Sequence, residues 1–450
     1  MHLNDLVLAS GWTLFHERVW IFPAMASAGD YLNSAASLGD VKVARMMLCL
    51  FLAFPLALVT PSLPRAWLRH LWCLVLGVFF VQCVFGVGWL HLLLPSTAVY
   101  CTALFFRATG LLPGLGHWVA AFISFSYLLF RHLSRNAAFS NGIDDSTLSM
   151  VMVVKLYTLC YNLYDAEAAA ASASAAPPPS SGGSAILEKR RLRAVPDFPS
   201  PLEYFAYVFN FSTVFGGPAF EFGEYRAAQQ QFVASSSSSS SAAALPLMQQ
   251  FEGGALPAGY LGTRFLPGLW KLAQGIVWMG VAVVVQAAFR TDDLFKASQT
   301  EPSTAQFVAF LLVAVTFSRY KYYAIWKLSE GAAVLAGFGF RGPRHMERRP
   351  NPAVADLEVF LGLELRELAR GGARAGVDSL GLGIPGLCDW EGASNCNPVT
   401  VETRVSMQDF ITNWNMHVQS WLANYVMLRI PREAGVGRLV TFLASAFWHG

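Results

Sequence analysis

The sequence predicts an all-α polytopic membrane protein with re-entrant or tilted helices around an intramembrane chamber, and three observations carry that prediction. Hydrophobic residues make up 54% of the 450 positions and charged residues only 14%, against about 25% charged in an average soluble domain. Mean hydropathy is +0.41. Apolar stretches recur along the chain, and several are shorter than the roughly 20 residues that cross a bilayer as a helix. Short apolar segments interrupted by Gly and Pro place irregular backbone at membrane depth, which is tolerated only when protein or water shields it. A chamber follows.

In chain order the apolar stretches lie near Ala44 to Val59, Leu68 to Leu94, Ala98 to Phe106, His117 to Phe130, Leu148 to Tyr164, Tyr204 to Phe215, Leu269 to Ala288, Phe307 to Phe317 and Tyr322 to Phe340, with two more near the end. No basic leader with a short apolar core and a cleavage site opens the sequence, so the first membrane helices are expected to act as uncleaved signals. Two low-complexity segments, Ala166 to Ser184 and Ser235 to Ser241, bury too little apolar surface to offset the entropy of ordering them and are expected to be mobile loops within a single domain spanning 1–450.

The polar residues narrow the function classes. A net charge of +3, with its basic residues dispersed, argues against nucleic acid. Five of the seven cysteines lie in apolar runs and read as small hydrophobes. Cys388 and Cys396 share a loop, where a lumenal disulfide is open, but two ordinary thiols are the preferred reading. No metal-ligand spacing is present. Lys189, Arg190, Arg191 and Arg193, and the arginines at 341, 344, 348, 349, 366, 370 and 374, mark cytoplasmic loops by the positive-inside bias. A nucleotide phosphate is a second use for them.

Two segments near the end point to chemistry. Asp409 to Tyr425 carries Trp414, Val418, Trp421, Leu422 and Tyr425 at helical spacing, which predicts an amphipathic helix with Asn415 one position off its packed stripe. The apolar run Leu439 to Phe447 then delivers Trp448-His449-Gly450. A histidine taken into such a run loses hydration; from the run alone His449 is either an interfacial group at a helix end or a base. An unbroken helix would hold Asn415 and His449 about 51 Å apart. Pro431, Gly435 and Gly437 supply a break that lets the chain turn back and both face one cavity.

These residues resemble the membrane-bound O-acyltransferases (MBOAT), specifically their lysophospholipid acyltransferase branch and most closely its fungal members. The likeness rests on Trp414-Asn415 with Asn415 six residues before Trp421, on the Trp448-His449-Gly450 ending, and on the blocks Ser200 to Phe209, Gly217 to Tyr225 and Arg319 to Gly331. It implies an MBOAT-like helical bundle, no cofactor, with acyl-CoA as co-substrate, and an endoplasmic reticulum membrane location. It assigns the family histidine to His449 and its asparagine partner to Asn415, so that a neutral imidazole takes the proton of a lysophospholipid hydroxyl attacking the acyl-CoA carbonyl, with Asn415 donating to the substrate oxygen or orienting the ring. With no serine or cysteine nucleophile paired to a base, direct transfer is expected. Partners are then acyl-CoA, a lysophospholipid and the bilayer.

Around this pair, Trp414 and Trp448, and Glu221, Tyr225 and Lys321, are candidate substrate-binding residues. Glu221, Glu224, Tyr225 and Arg226 fit an interfacial loop as well as a substrate gate, and Lys327 and Glu330, three apart, are expected to form a structural pair. Another acceptor (sterol, diacylglycerol or protein) fits the same architecture. A transporter or a non-enzymatic membrane protein is the other class, but the paired broken helices of internal repeats are not evident. Leu439 to Gly450 is too short to cross a bilayer and carries no cap, which leads to the expectation of a chain cut in mid-helix and inactive as it stands.

Overall fold

The computed structural model describes residues 23–36, 40–111, 114–137, 145–173, 184–234, 260–288, 303–343, 388–430 and 435–450. They form α1 (Pro23–Ala36), α2 (Val41–Val59), α3 (Ala66–Phe85), α4 (Leu90–Thr109), α5 (Gly116–Ala137), α6 (Ser146–Ala173), α7 (Ser184–Arg193), α8 (Pro201–Val208), α9 (Phe222–Ala234), α10 (Phe265–Ala288), α11 (Thr304–Leu335), α12 (Pro398–Thr403), α13 (Met407–Asn413), α14 (Met416–Trp421) and α15 (Gly437–His449). Among the described residues the only strands are β1 (Gly342–Pro343) and β2 (Cys388–Asp389), antiparallel, with Gly342 opposite Asp389. The protein is an all-α integral membrane protein, and four segments among the described residues are long and apolar enough to span: Val41–Ser62, Ala66–Thr109, Leu261–Val285 and Thr304–Leu335.

The largest core joins α2, α3, α4, α6 and α8 to the inner half of α11, through residues such as Phe80, Tyr204, Phe209, Phe211 and Leu328. Long helices α10 and α11 pack along each other. Gly275 and Gly268 meet the Leu328 and Leu335 side chains so closely that a Cβ at either would overlap them. Outward faces of this pair carry Val277, Val284, Leu311 and Leu312 exposed, an arrangement suited to lipid tails rather than water.

Several boundaries differ from those expected. The stretches 307–317 and 322–340 belong to one 32-residue helix: Ser318 returns its hydroxyl to the Ala314 carbonyl and Arg319 forks onto Glu402, so the polar step does not break it. The interruption between α3 and α4 falls at Gly86, whose positive φ of 58° suits glycine, while Pro95 lies inside α4. Helix α6 continues through Ala173, which shortens the expected loop at 166–184 because alanine is the strongest helix former. Residues 174–183 and the serine run 235–241 lie outside the described residues, as do Pro431 and the arginines from 344 to 374. Cys388 and Cys396 are free thiols, as preferred.

Candidate active site

The predicted amphipathic helix is broken at the residue that matters most. α13 ends at Asn413, and α14 begins at Met416, with Asn415 between them in the left-handed region at φ 45°, ψ 57°. Asparagine is among the few residues other than glycine that visit this region. The loop 395–397 holds both sides of the break: Met416 N–H donates to the Asn395 carbonyl (2.7 Å), His417 N–H to Asn395 Oδ1 (3.3 Å), and Asn397 N–H to the Asn413 carbonyl (3.0 Å). Trp414 turns toward α11. Its ring packs with Trp326 (4.8 Å between centroids), Tyr323 and Phe410.

Beyond α14 the chain forms a π turn at Leu422–Val426 and a 3-10 turn at Met427–Arg429, and it restarts as α15 after Gly435, whose φ of 67° suits glycine. The return brings Trp448 onto Trp421, with ring centroids 6.4 Å apart. Trp448 is buried and tied at both polar ends: its indole N–H donates to the Met150 carbonyl (2.9 Å), and its own carbonyl lies 3.2 Å from His132 Nε2. His449 follows it, exposed, with its ring against that of Trp448. The segments bearing Asn415 and His449 therefore meet at the Trp421–Trp448 contact. Asn415 stands about 9 Å from it along the six-residue helix.

Trp421 also lines a cavity of about 400 Å³, together with His417, Glu221, Glu224, Arg193 and Arg341. Of the seven candidate catalytic and substrate-binding residues (His449, Asn415, Trp414, Trp448, Glu221, Tyr225 and Lys321), Glu221 lines it, beside Glu224 and Arg226 of the same expected gate. Its carboxylate accepts from the Tyr425 hydroxyl (2.7 Å), Asn162 Nδ2 (3.2 Å) and Arg193 Nε (3.0 Å); burial raises its pKa, with Arg193 opposing the shift. Glu224, which accepts from the Glu221 N–H, is pushed up to about 7 by burial and then by the Glu221 charge. Burial, reinforced by Arg341, pushes the His417 imidazole down to about 4, so it is neutral at physiological pH.

Tyr225 does not fit the substrate-binding expectation: its ring is fully buried and stacked on Phe338, with the hydroxyl 2.8 Å from His70 Nδ1. A phenol combines a large apolar area with one polar atom that burial forces to find a partner. Lys321 is exposed on α11, its ammonium over the Tyr322 ring; six residues on, Lys327 is rotated by about 120° toward the interior. Lys327 and Glu330 do pair, at 2.8 Å, within a larger buried network. Lys271 donates to Glu330 (2.9 Å), Glu391 (3.1 Å) and Ser394 (2.6 Å), and the other Glu330 oxygen accepts from the N–H groups of Asn395 and Cys396. Sequence reasoning missed Lys271, Asn395 and the cavity position of His417. A third ionisable residue in an apolar stretch, Lys271, was the available signal that the pair had a further member.

A family model described as MBOAT, membrane-bound O-acyltransferase family, matches residues 116–450. Lysophospholipid acyltransferase of Schizosaccharomyces pombe is 24% identical over 413 residues, which cover 90% of this chain and 67% of that protein. The Saccharomyces cerevisiae protein of the same name is 23% identical over 421 residues, 91% of this chain and 59% of its own length. Human membrane-bound glycerophospholipid O-acyltransferase 1 is 26% identical over 419 residues, 90% of this chain and 69% of its own length. The chain thus spans about three-fifths to two-thirds of the length of the yeast relatives.

Proposed function

We propose a reaction from one premise, that the chain belongs to the membrane-bound O-acyltransferase family: transfer of a fatty acyl group from acyl-CoA to the free hydroxyl of a lysophospholipid. The acceptor class comes from the names of the yeast and human relatives. The observation that carries the site assignment is the meeting of the Asn415 and His449 segments at Trp421 and Trp448.

In this reading the His449 imidazole takes the acceptor proton as the hydroxyl oxygen bonds to the thioester carbonyl carbon. The carbon–sulfur bond then breaks, and the coenzyme A thiolate leaves and takes that proton back from the His449 imidazolium, which returns the base to its neutral form. Asn415, whose side chain makes no capping bond to its own helix, supplies an uncharged donor for the oxygen on which negative charge develops. Arg193, Arg341 and Lys189 give the cavity wall a cationic side suited to the phosphates of coenzyme A. Remodelling of phospholipids in the endoplasmic reticulum membrane is the role that follows.

One observation favours a second assignment of the base: His417, rather than His449, is the histidine on the cavity wall. Membranes from cells expressing the protein, supplied with acyl-CoA and a panel of lysophospholipids, a sterol and diacylglycerol, test the reading through release of the coenzyme A thiol. Acyl transfer to a lysophospholipid is expected, and Asn415→Ala should lower turnover on the order of a hundredfold, more than Asn413→Ala does. Transfer to a sterol or diacylglycerol alone, or no acceptor-dependent thiol release, would overturn it.

A further inference from the structure

A helix N-cap asparagine ordinarily turns its own side chain back onto the second or third amide of the helix. Asn415 occupies the cap position of α14 but makes no such bond, and its left-handed backbone is a conformation that an asparagine adopts at some energetic cost. Capping is supplied from another part of the chain. The first two amides of α14, Met416 and His417 N–H, are taken by the carbonyl and the side-chain oxygen of Asn395, twenty residues upstream. Asn395 is almost completely buried. Its own N–H is fixed at 2.8 Å by Glu330, and Glu330 is held by Lys271 and Lys327 from the α10–α11 pair.

We propose that Asn395 is a positioning residue for acyl transfer: by capping α14 in place of Asn415, it holds the break open and leaves the Asn415 amide free to meet the reacting oxygen. This rests on the reaction proposed above. The anchor runs from the α10–α11 helices through Glu330 to Asn395 and from there to the amides of Met416 and His417. Removing the cap oxygen lets Asn415 turn its amide onto the orphaned His417 N–H, a group that must otherwise stay unpaired. The donor is then withdrawn from the substrate without being deleted.

The test is steady-state kinetics on the membrane-embedded protein with wild type, Asn395→Ala, Asn395→Asp, Asn415→Ala and the Asn395→Ala/Asn415→Ala double variant. Asn395→Ala is expected to lower kcat on the order of a hundredfold, the effect of a small misplacement, with KM for acyl-CoA and lysophospholipid nearly unchanged. Asn395→Asp, which retains the acceptor oxygen, should recover much of that loss, and the double variant should be no slower than Asn415→Ala. Wild-type kcat in Asn395→Ala, a loss confined to KM, or a double variant in which the two losses multiply would overturn the inference. If Asn395→Ala does not accumulate, Asn395→Gln, which keeps the amide but moves it by one methylene, carries the same comparison with the same outcomes. A wild-type protein that transfers no acyl group would overturn the proposed reaction itself, and an active wild type isolates the failure to Asn395.

Discussion

Glu330→Gln is expected to weaken the protein by about 3–5 kcal/mol, the usual consequence of removing one partner of a buried ion pair. Glu330 is fully buried, and one of its oxygens receives both Lys271 and Lys327 at 2.9 and 2.8 Å. The glutamine carbonyl keeps an acceptor for the Asn395 and Cys396 amides, while its NH2 group replaces the oxygen that received both lysines, so the charge and the two ammonium hydrogen bonds are lost together. Lys271 retains Glu391 at 3.1 Å. Lys327 retains only the Cys396 carbonyl among the bonds described for its ammonium, and most of the destabilisation falls on it. Removing that charge as well, in Lys327→Met/Glu330→Gln, should return a large part of the loss, because deleting both members of a buried pair leaves no uncompensated charge. The assay is the fraction of detergent-solubilised protein that stays monodisperse after graded heating. A Glu330→Gln variant as heat-resistant as wild type, or a double variant weaker than the single, would refute the reasoning.

Arg193→Ala and Arg341→Ala should each raise KM for acyl-CoA by about tenfold or more at unchanged kcat, the magnitude of one charge-assisted hydrogen bond, measured by varying acyl-CoA at saturating acceptor; a change in lysophospholipid KM alone would remove the phosphate reading of the cavity wall. Glu224 is pushed up to about 7 by burial and by Glu221; a carboxyl group whose folded pKa is raised contributes its stability at low pH and loses it as pH rises from its unfolded value toward 7. Glu224→Gln should therefore gain heat resistance over wild type at pH 8 and show a smaller gain at pH 5, and an equal difference at both would contradict the burial effect.

How much was legible in the sequence follows from which signals are local. The membrane class and the long helices were readable because apolar runs are contiguous, and the Lys327–Glu330 pair was readable because three residues on a helix share a face. The Trp414-Asn415 and Trp448-His449-Gly450 segments stood out for the same reason. Joining 307–317 to 322–340 was not readable, since Ser318, Arg319 and Lys321 look like an interruption until Glu402 is seen to receive Arg319. The break at Asn415 was missed because Trp414, Val418, Trp421 and Tyr425 keep helical spacing across it; it shows in the left-handed backbone of Asn415 and in the amide partners from Asn395. Tyr225 and Lys321 were chosen as polar groups beside apolar segments, a signal that shows that a polar atom is present but not which way it points. Lys271 joins Glu330 across 59 residues of chain, a distance over which periodicity carries no information.

The most direct measurement compares acyl transfer to a lysophospholipid by wild type, His449→Ala and His417→Ala at equal amounts of folded protein in the membrane. Loss of transfer in His449→Ala with substantial activity retained in His417→Ala is the expected result. Wild-type turnover in His449→Ala, or abolition only in His417→Ala, would contradict the assignment of His449 as the base.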